Sequence, residues 1–212
     1  MKIFHDFPLR NFNTFGVEAF ASKAMQLDEP GDVHHPALGR FNPATDLVLG
    51  EGSNILFAAN VEGTVFLNRI MGRKIVAEDD AGATVDVAAG ENWHRFVLWS
   101  LEKGLCGLEN LSLIPGLAGA APMQNIGAYG VEVGDLMESV EVFDWPSGEI
   151  VRLDAADCDF SYRDSRFKSA DAGRFLVLSC RLRLQKTFEA RLSYAGLADE
   201  LNAMGVSRPN AD

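Results

Sequence analysis

The run Ile114-Pro115-Gly116-Leu117-Ala118-Gly119-Ala120-Ala121-Pro122-Met123-Gln124-Asn125-Ile126-Gly127-Ala128-Tyr129-Gly130 is too rich in glycine and alanine for a core strand. Pro115 and Pro122 also interrupt it too closely for a single helix. Gly116, Gly119, Gly127 and Gly130 let a backbone press against something flat and bulky, or take φ values that other residues resist. Gln124 and Asn125 add uncharged amide donors and acceptors in its middle. A loop that lays its main chain along a planar polar ligand has this composition. The alternative, a helix-packing seam of small residues, requires a regular spacing that the two prolines break.

Around this loop lie 212 residues, enough for one large domain or two small ones with a real core. Hydrophobic residues make up 47% and charged residues 23%, an ordinary globular balance. The net charge of −11 and the lack of any Lys/Arg-rich run exclude a smooth basic face for nucleic acid. An anionic cofactor is still compatible, held by backbone N–H groups and one or two placed arginines. Cys106, Cys158 and Cys180 are far apart and include no C-x-x-C pair, so reduced thiols are expected rather than zinc or a redox motif. Met1 to Asp6 contains no apolar leader core and no window reaches membrane length, so a soluble, cytoplasmic chain is expected.

Strands outnumber helices along the chain. Ala21–Leu27, a short buried Leu47–Leu49, Val65–Leu67, Lys74–Glu78 and Thr84–Ala88 read as strands. Residues 28 to 46 read as a loop, and its adjacent His34 and His35 point apart on an extended chain, as an exposed pair rather than a metal site. Asn92 to Lys103 is the clearest helix: Trp93, Phe96, Val97, Ser100 and Leu101 follow the helical period, with Asn92 as N-cap and Gly104 as terminator. His94 falls off that stripe and reads as a surface residue. Ser139–Phe143 and Glu149–Leu153 flank a Trp145-Pro146-Ser147-Gly148 turn as a hairpin, and Phe175–Leu184 begins as a buried run and ends alternating. With no βαβ alternation, the fold class is α+β.

Two further segments carry chemistry. Leu47-Val48-Leu49 runs into Gly50-Glu51-Gly52-Ser53-Asn54, where consecutive N–H groups, a hydroxyl and an amide form either a pyrophosphate nest or a simple tight turn. A Rossmann turn would want glycine where Ile55 stands, and no G-K-[ST] sequence supports a Walker loop. In Phe160-Ser161-Tyr162-Arg163-Asp164-Ser165-Arg166-Phe167, two arginines and a tyrosine suit an anion or enolate site. The alternative there is a solvated loop with Asp164 paired to a neighbouring arginine.

In this order, G-E-G-S-N, S-L-I-P-G-x-x-G-x-x-P-M-Q-N-I-G-A-Y-G-V-E and S-Y-R-D-S-R-F-K closely resemble the UDP-N-acetylenolpyruvoylglucosamine reductases of bacterial peptidoglycan synthesis. Leu9-Arg10-Asn11-Phe12-Asn13-Thr14-Phe15 resembles that family's opening, so the likeness runs from about Leu9 to Tyr194. Ala120 stands where the family often carries glycine or serine. The resemblance implies a two-subdomain FAD-binding fold of the vanillyl-alcohol-oxidase type. Residues 1–70 and 71–187 would form the two subdomains, and 188–212 the start of a substrate-binding domain. It further implies noncovalent FAD, with Gly50, Glu51, Gly52, Ser53 and Asn54 on its pyrophosphate. Pro115, Gly116, Gly119, Gln124, Asn125, Ile126, Gly127, Tyr129 and Gly130 would lie along the pyrophosphate and flavin ring.

By the same resemblance, NADPH gives a hydride to the flavin, which passes it to the vinyl carbon of a UDP-sugar enolpyruvate. Arg163 would stabilise the developing negative charge as the catalytic residue, Tyr162 would line the pocket, Arg166 would add field or structure, and Tyr194 would close over the substrate diphosphate. The family's proton-donor serine and its second catalytic carboxylate, a glutamate, have no counterpart among these residues, and Ser161, Ser165 and Ser193 are not taken as substitutes. The expectation is a chain that binds FAD but turns over poorly or not at all, with a noncatalytic flavin-binding fragment as the alternative. No metal, nucleic acid or membrane partner is expected, and the chain is read as a monomer. Roles in cell-wall biogenesis, cell shape, the cell cycle and division follow from the family.

Overall fold

The computed structural model describes residues 1–211. Strands β1 (Lys2–Pro8), β2 (Phe20–Leu27), β3 (Leu47–Leu49) and β4 (Val61–Asn68) form a first sheet in the order β1-β2-β4-β3. The β1–β2 pair is antiparallel, but β4 runs parallel to both β2 and β3, with Phe66 opposite Met25 on one side and Val48 on the other. Parallel neighbours need a crossover, usually a helix. Here the β3–β4 crossover is residues 50–60, which contain no helix, and Gly50 to Asn54 open it. This parallel pairing was not anticipated, because residue periodicity carries no information on strand direction.

A second sheet is wholly antiparallel. It contains β5 (Arg73–Glu78), β6 (Gly82–Ala88), β9 (Met137–Asp144), β10 (Glu149–Asp154) and β11 (Phe175–Gln185) in the order β10-β9-β11-β6-β5. Between β6 and β9 come the helix α1 (Trp93–Glu102) and a two-residue ladder of β7 (Gly127–Ala128) with β8 (Val131–Glu132). A second helix, α2 (Leu197–Ala203), follows β11. Trp93, Phe96 and Val97 of α1 pack with Val85, Val87, Val140, Val142, Leu182 and Leu184 from the sheet into one core. The expected N-cap holds, with Asn92 Oδ1 accepting from the Arg95 N–H at 3.0 Å. Gly104 ends the helix at φ +70°.

An apolar seam joins the sheets: Met25, Leu27 and Phe66 of the first pack with Phe143, Leu176 and Leu178 of the second. Each such side chain contributes about 1.5–3 kcal/mol when fully buried. The buried Asn68 ties the seam, donating to Val177 O at 2.8 Å and accepting from the Ile70 N–H. Two expectations are corrected. Leu47–Leu49 is a strand, but only Leu49 is buried; Val48 is 38% exposed because this edge strand borders an open cleft. His94 is half-buried rather than simply a surface residue: its Nδ1 accepts from the Leu113 N–H at 3.2 Å, just where the glycine-rich loop begins.

Candidate functional site

Residues 50–54 and 114–124 face each other across a cleft of 760 Å³ beside β3. Glu51 cross-links them: one carboxylate oxygen accepts from Asn92 Nδ2 at 2.8 Å, the other from the Gly116 N–H at 3.2 Å. The carboxylate read as part of a ligand nest is therefore also a clamp between the two loops and the cap of α1, where the helix dipole favours negative charge. Gly52 is required on two counts: its φ is +66°, and a Cβ there would strike the Phe12 carbonyl oxygen. Arg69 donates to the Gly50 carbonyl from both terminal nitrogens, at 3.3 and 3.4 Å. With the carboxylate and carbonyls so engaged, the main-chain N–H groups of Glu51, Gly52, Ser53 and Asn54 have no protein acceptor among the described residues. Consecutive free N–H groups on a glycine-bearing turn make an anion-binding concavity.

Opposite them, Ile114, Pro115, Gly116, Leu117, Ala120, Ala121, Met123, Gln124 and Ile126 line the cleft, with Trp93 behind. A smaller, more apolar recess of 260 Å³ adjoins it, sharing Leu47, Val48, Gly50, Leu117, Ala120 and Met123 and adding Phe41, Gly119 and Phe175. Gly119 is there because a Cβ would come within 2.5 Å of that of Ala89.

Arg163 reaches the same cleft from the other side. Ser161 and Asp164 exchange both backbone hydrogen bonds, each 3.1 Å, which puts Tyr162 and Arg163 at the tip of a two-residue turn. Arg163 has φ +56°, a conformation that costs a non-glycine residue free energy and is often found at functional sites. Lys168, another wall residue, donates to the Arg163 carbonyl at 2.8 Å, and the buried Ser165 hydroxyl donates to Met123 O at 2.7 Å. Among the described residues the Arg163 guanidinium has no ion pair. Arg166, by contrast, is committed to Asp171 at 2.6 Å and to the Asp157 carbonyl at 2.7 Å, which makes it structural. The Asp164–arginine pair of the alternative reading is not formed: Asp164 accepts from Ser169 Oγ at 2.6 Å, and that bond is the main cause holding its carboxyl below the ordinary value.

The remaining anticipated residues sit elsewhere. Asn125, 2% exposed with φ +44°, donates to Glu132 Oε2 at 2.6 Å and Ser161 O at 3.0 Å and accepts from the Gly134 N–H at 2.8 Å. Its amide faces protein rather than the cleft and fastens the glycine-rich loop to the Arg163 turn. Gly127 lies in the β7–β8 ladder, where its Cβ position faces the Val131 carbonyl. Tyr129 and Tyr194 meet edge to face at 5.6 Å, with Gly130 beneath them, outside the cleft walls. Tyr162 is 81% exposed and also outside those walls. Lys168 and Ser165 were not singled out, because their roles depend on carbonyls contributed by other turns. The cysteines are free and buried; burial pushes the Cys158 thiol up to about 11 and raises those of Cys106 and Cys180. Among the described residues no group of His, Cys, Asp or Glu could hold a metal.

Comparison with known proteins fits this geometry. A family model described as "FAD binding domain" matches residues 41–154, just over half of the chain. The chain belongs to that FAD-binding family. The family match spans the 50–54 crossover and the whole 114–130 loop. UDP-N-acetylenolpyruvoylglucosamine reductases of Burkholderia mallei (strain NCTC 10229) and Burkholderia multivorans (strain ATCC 17616 / 249) are each 45% identical to it. The alignments cover 97% and 98% of this chain and 60% of each relative. The chain thus spans about 60% of the length of these curated relatives. The crystal structure of the UDP-N-acetylenolpyruvylglucosamine reductase from Thermus caldophilus superposes with a TM-score of 0.66 at 25% identity, over 99% of this chain and 70% of that one. A solvent-stable cholesterol oxidase, 15% identical, superposes with a TM-score of 0.55 over 84% of this chain and 37% of its own. The expected resemblance and the α+β FAD-binding fold of the vanillyl-alcohol-oxidase type are both borne out. The residues present suit the family's ligand, with free N–H groups for a diphosphate, apolar walls for a flat ring system and the Gln124 amide for its polar edge.

Proposed function

We propose that the 760 Å³ cleft and its apolar annex hold FAD noncovalently, between a first subdomain of residues 1–70 and a second of 71–187. The protein would use that FAD, with NADPH, to reduce UDP-N-acetylglucosamine enolpyruvate to UDP-N-acetylmuramate. The observation that carries this reading is the convergence of Gly50–Asn54, Pro115–Gln124 and Arg163 on one cleft. When bound, FAD supplies the relay of hydride from NADPH to the enolpyruvyl vinyl carbon. The N–H groups of Glu51 to Asn54 would hold the diphosphate, with Gly116 and Leu117 in the wall of the same cleft. Arg163, with no ion pair among the described residues, takes the substrate carboxylate and stabilises the charge that develops beside it. Lys168 donates to the Arg163 carbonyl and so holds the backbone of the turn that carries the guanidinium. None of the described residues is assigned as the proton donor: the Ser165 hydroxyl is held by Met123 O.

The protein is proposed to act as a cytoplasmic monomer in peptidoglycan synthesis, and so in cell-wall biogenesis, cell shape and division. Among the described residues no helix is long and apolar enough to cross a membrane. Reconstitution with FAD tests the first step: a protein-bound flavin spectrum is expected, and a colourless protein after reconstitution overturns the reading. A steady-state assay with NADPH and the enolpyruvyl sugar nucleotide is expected to give slow turnover or none for these 212 residues. Flavin uptake with no reduction at all would favour a noncatalytic flavin-binding unit.

A further inference from the structure

Next to the flavin cleft, and separated from it by Glu51 and Leu117, is a second recess of 400 Å³ into which Arg69, Arg73 and Arg95 converge. None of the three has an ion pair among the described residues, although this chain carries 30 acidic residues and a net charge of −11. Arg10, Arg152, Arg166, Arg174, Arg181 and Arg183 each pair with a carboxylate. The recess does contain two carboxylates, but both are bound to other donors. Glu91 accepts from the Gly72 N–H at 2.9 Å, and Glu51 accepts from Asn92 and the Gly116 N–H. The arginines are held apart from those acids by contacts of their own. Arg73 donates to the Arg95 carbonyl at 2.9 Å and lies over the Trp99 ring at 5.5 Å, while Arg69 donates to Gly50 O and Asn68 O. Three guanidinium charges against two carboxylates that are committed to other donors leave the recess net positive, and an anion placed among the arginines offsets their mutual repulsion.

We propose that this recess is an anion site for a phosphoryl group, separate from the flavin cleft. Guanidinium forks match the oxygens of phosphate with paired N–H donors, and three of them can surround a tetrahedral dianion in a way that a planar carboxylate does not use fully. The phosphoryl group has two sources, free phosphate or a phosphate carried on a nucleotide. The exposed Met71 offers an apolar surface to the remainder of the carrier. This site does not rest on the flavin assignment, since Arg73 and Arg95 do not line the flavin cleft.

Isothermal titration of the FAD-reconstituted chain at low ionic strength, with inorganic phosphate in one arm and adenosine 5′-monophosphate in the other, tests it. Saturable one-to-one binding is expected in at least one arm, and the tighter arm identifies the source. The double variant Arg73→Gln/Arg95→Gln should weaken that binding at least about tenfold, because each removes a charged hydrogen-bond donor. Bound flavin should be unchanged in that variant. Glu91→Gln should move the affinity the other way, since the amide still accepts from Gly72 while one negative charge leaves the recess. Equal affinity in the wild type and the double variant overturns the site, as does non-saturable binding. Displacement of FAD by phosphate also overturns it, for the arginines would then serve the flavin diphosphate itself.

Discussion

Replacing Asn125 by Asp changes one NH2 group for an oxygen and should loosen the whole site. The Asn125 amide donates to Glu132 Oε2 at 2.6 Å and to Ser161 O at 3.0 Å, and its oxygen accepts from Gly134. In the variant the Gly134 bond survives, but both donated bonds are lost and an ionised carboxylate faces the Glu132 carboxylate and the Ser161 carbonyl. A bond to a charged group is worth about 1.5–3 kcal/mol and a neutral one about 0.5–1.5 kcal/mol. Glu132 is half-buried, which screens part of the added repulsion. The cost at pH 7 is therefore about 2–4 kcal/mol. The pH dependence follows from linkage: the new carboxyl is raised above its unfolded value by Glu132, so its protonated form favours the fold. The difference between variant and wild type should therefore shrink as pH falls from 7 toward the ordinary aspartate value of about 3.9. Urea unfolding of both proteins at matched pH values measures this. A variant within 0.5 kcal/mol of wild type at pH 7 would refute the clamp, where about 2 kcal/mol is the least expected. A difference that stays constant on acidification would refute the charge argument.

Gly52→Ala should cost at least about 2 kcal/mol and abolish FAD uptake, since it combines a left-handed φ with a backbone clash at Phe12; unfolding and flavin absorbance test it. Arg163→Ala should leave FAD affinity within about threefold but remove the flavin absorbance shift produced by the enolpyruvyl sugar nucleotide, because the guanidinium holds no part of the fold. Arg174 donates to Asp144, and that bond is the leading cause of a carboxyl held below its ordinary value. The stabilisation is present above the unfolded aspartate pKa and lost as pH falls through the lower folded one. Arg174→Met should therefore lower stability at pH 7 and make little difference in strong acid, as unfolding at both pH values will show. The buried thiols should react with a disulfide reagent at pH 8 only after denaturant is added; fast reaction of the native protein would contradict their raised pKa values and burial.

Local chemistry made much of this architecture readable from the residues alone. The helix α1 announces itself by apolar spacing bounded by Asn92 and Gly104, and the β9–β10 hairpin by its proline-glycine turn. Each depends on residues close in sequence. The parallel pairing of β2, β4 and β3 was not readable, because direction is set by a crossover whose ends meet only in the folded chain. The site divides in the same way. Gly50–Asn54, the glycine-rich loop and Arg163 were identified as chemistry-bearing segments, and the fold brings them to one cleft. The individual tasks of Glu51 and Asn125 were not readable. Both residues look like ligand-facing polar groups, but their partners are Gly116, 65 positions from Glu51, and Ser161, 36 positions from Asn125. Arg166 was the reverse case: Asp171 lies only five residues on, near enough in sequence to suggest the pairing that makes it structural.

Backbone strain separates the site from the scaffold more sharply than composition does. The non-glycine residues with left-handed φ among those described are Asp6, Leu113, Asn125, Tyr129, Asp159 and Arg163. Leu113 opens the glycine-rich loop, Asn125 and Tyr129 lie within it, and Arg163 tips the opposing turn. A scaffold keeps such conformations only where neighbouring bonds over-determine them. Those bonds are present at all four: His94 holds the Leu113 N–H, Glu132, Ser161 and Gly134 hold Asn125, Asn110 holds the Tyr129 carbonyl, and Lys168 holds the Arg163 carbonyl. Strain concentrated in two facing segments, and linked between them by the Asn125–Ser161 bond, couples the direction of Arg163 to the path of the glycine-rich loop. Loosening either should therefore disturb the other. In Lys168→Met, loss of the bond to the Arg163 carbonyl should weaken FAD as well as misdirect the guanidinium, even though Lys168 donates to neither cleft loop. Unchanged flavin affinity in that variant would show that the two walls move independently.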